Sequence, residues 1–175
     1  MRDRHVVPDM RGTIPVKALS RQVPGDNGLY QAESNEAVWM GGASTTGDLT
    51  RFALMLRNGG GDVVSPRMLR LARTNQTGDL QNEIYRAVAL RAGYPPPPAY
   101  LGLGFSLRGD RIVKHQFGTL TTPETFGNYG AGSTVYWVDP ELDVTFVGLT
   151  AGLLPQAANI DRFQQLSDLV VGAVR

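Results

Sequence analysis

FGNYGAGSTVYWVDPELDVTFVGLT, residues 126–150, is the stretch that decides the fold. Gly127, Gly130 and Gly132 come at near-regular intervals before the alternating run 133–138. Asp139-Pro140-Glu141-Leu142-Asp143 then separates that run from a second one, 144–149. Two apolar runs around an Asp-Pro turn predict an antiparallel hairpin. Glycines just before a strand let a backbone approach something closely, or expose its N–H groups to a ligand. Asp139, Glu141 and Asp143 alternate as calcium ligands sometimes do. However, no glycine-bearing loop or distal Glu completes that pattern, and the stretch reads as a turn.

Working outward, residues 101–107 read as a strand, 108–111 as a turn and 112–116 as a second strand, with His115 a half-exposed strand residue. Arg108-Gly109-Asp110 is also an adhesion-type tripeptide, but hairpin turns favour such residues in any case. Upstream, Thr45 and Asp48 form a capping-box pattern, followed by Leu49, Phe52, Ala53 and Leu56 at helical spacing. Asn58-Gly59-Gly60-Gly61 stops that helix. Ser65-Pro66 opens a second one, striped by Met68, Leu69, Leu71 and Ala72. Residues 79–92 suggest a third helix, and the proline run 95–98 a stiff surface loop. A last helix over 159–174 places Ile160, Phe163, Leu166, Leu169, Val170 and Ala173 on one face, to pack on the sheet. Residues 1–40 are punctuated by Pro8, Pro15, Pro24 and Gly25-Asp26-Asn27-Gly28, and read as an irregular lead-in to a single domain over 41–175.

Composition bounds the function classes. With 175 residues, 42% hydrophobic and 19% charged, the chain is long enough for one globular domain with a core. A net charge of +1 gives no field to steer nucleic acid or an anionic membrane. Arg2, Arg4 and Arg11 are the only loose basic cluster, read as a solvated face. The absence of cysteine excludes disulfides, thiol catalysis and cysteine-based zinc sites. His5 and His115 are too far apart, and too poor in neighbouring carboxylates, for a zinc site, so neither a metal nor another cofactor is expected. No apolar run approaches the roughly 18 residues of a membrane span, and the opening MRDRHVVPDMRG has no signal-peptide pattern. The compartment stays open, cytoplasmic if Met1 is the native start.

Among catalytic motifs, Gly127-x-x-Gly130-x-Gly132 leads into a strand, whereas a phosphate loop needs a following helix. There is no Gly-x-Ser-x-Gly elbow. His115 with an aspartate remains a weaker route to an independent enzyme. Four blocks in order, GGASTTGDLTRFALMLRNGG, SPRMLRLARTNQT, LGLGFSL and FGNYGAGSTVYWVDPELDVTFVGLT, resemble the C-terminal half of the serine β-lactamase and penicillin-binding-protein-like family, in its class C and esterase branch.

The resemblance implies an α+β fold, an antiparallel sheet flanked by helices. It also implies a serine hydrolase, an esterase, amidase or peptidase acting on a small acyl substrate by acyl transfer. The family's third motif, Lys-Thr-Gly or His-x-Gly, falls on Asn128-Tyr129-Gly130, and Ala131 would supply an oxyanion N–H. Asn128 departs from the family by carrying no charge, which disfavours recognition of a substrate carboxylate. The family's Ser-x-x-Lys and Tyr-x-Asn or Tyr-x-Ser motifs are absent; Lys17 and Lys114 are the only lysines. The expectation is therefore a site wall without a catalytic residue of its own, inactive alone. It would associate with a missing N-terminal half or with further copies of itself. The alternative is a non-catalytic binding module that pairs through an open sheet edge.

Overall fold

The computed structural model describes residues 44–130, 133–150 and 154–174. The lead-in 1–40, with His5 and Lys17, therefore lies outside the described residues. The expected α+β architecture is present: among the described residues there are four helices and one antiparallel sheet.

Helix α1 (Thr46–Arg57) begins where the capping box predicts, with Thr45 Oγ1 accepting from Asp48 N at 3.1 Å. It ends at Asn58, and Gly60 follows at φ 99°, its N–H reaching Met55 O at 2.9 Å. A Cβ at Gly60 would lie 2.0 Å from Val64 O, so only glycine fits this exit. Helix α2 (Pro66–Ala72) is capped by Ser65 Oγ, which accepts from Met68 N at 3.2 Å. Of its expected stripe Leu69 and Ala72 are buried, while Met68 and Leu71 face solvent.

Helix α3 (Glu83–Ala92) starts four residues later than expected. Residues 80–82 are engaged with the proline run instead: Asn82 N donates to Pro97 O at 3.0 Å and Ala99 N to Leu80 O at 2.7 Å. Pro97 and Pro98 are consequently buried, so this run is a packed seam rather than a surface loop.

The sheet runs β1 (Ser106–Leu107), β2 (Phe126–Gly130), β3 (Thr134–Asp139) and β4 (Val144–Leu149), each antiparallel to its neighbour, in the order β1-β2-β3-β4. The predicted hairpin is β3–β4. Asp139 makes its turn, the buried carboxylate accepting from Glu141 N at 3.1 Å and Leu142 N at 3.0 Å, and from Thr122 and Thr125. Residues 126–130 of the glycine-rich segment form a strand, β2, paired with β3 along its whole length.

The other expected hairpin is largely missing. Only Ser106 and Leu107 of 101–107 are strand, and 112–116 forms none. The reason is Arg108, 3% exposed, whose guanidinium donates to the carbonyls of Gly118 at 3.1 Å, Gly109 at 3.1 Å and Thr119 at 3.2 Å, and to that of Arg111. Asp168 accepts from Thr119 N at 2.6 Å and Leu120 N at 2.9 Å. Side chains thus satisfy backbone groups that a strand ladder would otherwise pair. The arginine of the adhesion-type tripeptide is turned inward by the same contacts, while Asp110 stays exposed.

Helix α4 (Gln156–Gly172) covers one face of the sheet, where Phe117, Val135, Trp137 and Phe163 form a core. Helices α1 and α2 cover the other, over Ala53, Leu56, Leu69, Tyr100, Leu107, Phe126 and Val138. The buried stripe of α4 is Asn159, Ile160, Phe163 and Ser167; Leu169, expected inside, is 71% exposed and Leu166 39%. Ser167 is drawn in by hydrogen bonding, accepting from Trp137 Nε1 at 2.8 Å and donating to Gln116 O at 3.0 Å. Among the described residues, no helix is long and apolar enough to cross a membrane.

Candidate functional site

Strand alternation separates the expected site residues onto two faces. Phe126, Asn128 and Gly130 share the α1 side, and Asn128 lies opposite Tyr136 in register. Tyr129 lies opposite Val135 and faces α4, packed edge-on against Tyr85 (5.8 Å), Phe117 (5.9 Å) and His115 (6.0 Å). The structure therefore brings Asn128 and Gly130 together and turns Tyr129 away from them. Ala131 lies outside the described residues.

Asn128 is held rather than free. Its Nδ2 donates to Gly104 O at 2.8 Å, and the hydroxyl of Ser106 is 3.5 Å from its Oδ1. On the same face Tyr136 stacks edge-on against Phe52 of α1 at 5.8 Å. Burial raises the Tyr136 hydroxyl above its ordinary value, and a hydrogen bond to Asn128 partly offsets that. Gly104, Ser106 and Tyr136 were not identified from sequence as partners of Asn128. Their proximity depends on cross-strand register, which local composition does not encode.

The backbone around Asn128 is open on one side. The β1–β2 ladder covers only Phe126 and Gly127, whereas β2–β3 pairing continues through Gly130. Residues 128–130 thus have a strand neighbour on one edge and, among the described residues, none on the other. Such an edge can hydrogen-bond an extended acyl or peptide group. Gly127 fixes how close the strands lie: a Cβ there would sit 2.1 Å from Tyr136 O and 2.7 Å from Trp137 Cα.

His115, expected mid-strand, lies in the loop behind β2. Its Nδ1 accepts from Phe117 N at 3.1 Å. Burial, with a smaller contribution from the charge of Arg108, pushes its imidazole down from 6.5 to about 3, so the ring is neutral. Burial likewise holds the hydroxyls of Tyr85 and Tyr129 well above the ordinary tyrosine range. These groups keep their protons and pack together. A cavity of about 130 Å³ is lined by Arg73, Tyr100, Leu107, Pro123, Glu124 and others, and does not include Asn128.

An open glycine-bearing strand edge beside a hairpin, flanked by helices on both faces, is an arrangement fit for binding an acyl group. The Beta-lactamase family model matches residues 5–169, and the chain belongs to that family. It is 30% identical over 107 residues to an Escherichia coli (strain K12) protein named "Putative D-alanyl-D-alanine carboxypeptidase", covering 61% of this chain and 21% of that one. The protein of the same name from Escherichia coli O157:H7 is 29% identical over 107 residues. The crystal structure of a beta-lactamase from Mycobacterium bovis superposes with a TM-score of 0.60 at 32% identity, covering 74% of this chain and 44% of that chain. The chain thus spans about a fifth of the curated relatives' length and less than half of the solved structure.

Proposed function

We propose that this chain forms the oxyanion-side wall of a serine acyl-transfer hydrolase, with the nucleophile supplied by sequence outside it. The observation that carries this reading is the open edge of β2 at residues 128–130, in a beta-lactamase-family chain that has no Ser-x-x-Lys. Acyl transfer needs an activated serine, and here no serine has a lysine three residues on. The wall residues are Asn128, Gly130 and Ala131, whose N–H would meet charge developing on a tetrahedral intermediate. Tyr129 supports β2 from behind.

Asn128 offers an amide where a cation would grip a carboxylate, so the substrate is an ester or amide with an uncharged group at that point. The second reading, a non-catalytic module, rests on the same edge, used to pair with a protein strand.

Intact-mass measurement after incubation with a fluorophosphonate or penicillin probe tests the proposal. The chain alone is expected to take no adduct, while a co-purifying polypeptide bearing Ser-x-x-Lys takes one. An adduct on this chain overturns the proposal, and a bound partner that never reacts favours the non-catalytic module. In the assembled enzyme, Asn128→Lys is expected to raise kcat/KM for carboxylate-bearing substrates relative to neutral ones. A charge-assisted hydrogen bond, at about 1.5 kcal/mol, corresponds to roughly tenfold; steady-state kinetics on a matched pair of esters reads it.

A further inference from the structure

Behind β2, on the face turned away from Asn128, lies a small, partly open pocket with room of about 20 Å³. Its polar lining comes from Asn82, Tyr85, Lys114, His115, Gln116 and Tyr129. We infer that a single water molecule is a built-in part of this cavity, donating to Gln116 Oε1 and accepting from His115 Nε2–H.

Three observations converge on it. Gln116 is 3% exposed, and its Oε1 is buried with no hydrogen-bond partner among the described residues. Native structures rarely leave such an acceptor unsatisfied. His115 uses Nδ1 to accept from Phe117 N, so the neutral ring carries its proton on Nε2, a donor. One water needs a cavity of about 10–15 Å³ and two to four polar partners. The room therefore matches a single water. The hydroxyls of Tyr85 and Tyr129, which face one another, complete the polar lining.

The position gives the water a structural consequence. It sits where α3, the loop carrying residues 114–116, β2 and α4 meet, a junction that apolar packing leaves incomplete. Tyr129 lines the pocket and is the neighbour of Asn128, so the water supports the strand that bears the candidate site. The inference does not depend on what that site does.

Water–protein NOE spectroscopy on the isotope-labelled full chain tests it, together with a crystal structure that resolves ordered solvent. The expected result is a long-lived water cross-peak to the side-chain amide of Gln116 and to Phe117 N–H, with density at hydrogen-bond distance from Gln116 Oε1. Gln116→Met, which removes the acceptor and fills the space, is expected to abolish both. Tyr85→Phe is expected to retain the cross-peak, which separates bound water from a relayed hydroxyl proton. Absence of cross-peak and density in the unmodified chain overturns the inference whether or not the variants fold. So does a cross-peak that persists undiminished in Gln116→Met.

Discussion

At the scale of single residues, two positions in and behind β2 make the fold intolerant of small changes. His115 is neutral in the fold, with its pKa lowered to about 3, whereas an exposed histidine titrates near 6.5. Between those values the unfolded chain binds a proton that the folded chain refuses, so stability is present above pH 6.5 and is lost as pH falls toward 3. Thermal melting across that window should show the loss, at most about 1.4 kcal/mol per pH unit. His115→Gln should flatten it; an equally steep profile in that variant would assign the effect elsewhere. Gly127 has no room for a methyl group against the Tyr136 carbonyl. Gly127→Ala should destabilise by about 2–3 kcal/mol in urea unfolding, because strand backbone cannot yield as a side-chain tip can. The importance of Gly127 was legible as a glycine near a strand, but the group it avoids was not, since Tyr136 is a cross-strand neighbour.

At the scale of elements, the capped starts of α1 and α2 were read well and strands less well, for a physical reason. The caps Thr45 and Ser65 hydrogen-bond residues three positions on, so the signal is contained within one turn. Thr45→Ala and Ser65→Ala should each cost about 1 kcal/mol, and lower Tm by roughly 2–4 °C in calorimetry. Arg108 shows the opposite case. A local pattern of apolar residues around Arg-Gly-Asp predicted a hairpin, yet its guanidinium organises the 109–119 backbone and replaces the ladder. The stripe of α4 was misplaced for a similar reason: Ser167 and Asn159 are buried through partners distant in sequence or a turn away, which a hydrophobicity pattern discounts.

At the scale of the whole molecule, the sheet ends at β4, whose outer edge has no strand neighbour among the described residues. The strand VTFVGL carries no charge and no proline, the features that usually protect an edge. Light scattering on the purified chain alone should therefore give a mass above the 19.0 kDa monomer, and addition of the complementary half of the enzyme should replace that species with a defined complex. A stable monomer that ignores the complementary half would count against both the exposed edge and the proposed assembly.

By itself the sequence determined the family, the α+β class, the β3–β4 hairpin and the helix caps. Each of these is carried by residues adjacent in the chain, where turn chemistry and capping act over a few positions. Only the tertiary structure decided that Asn128 and Tyr129 face opposite sides, that residues 126–130 of the glycine-rich segment form a strand, and that Gly104, Ser106 and Tyr136 surround Asn128. Those facts follow from register between strands, and a shift of one residue in register would exchange the two faces.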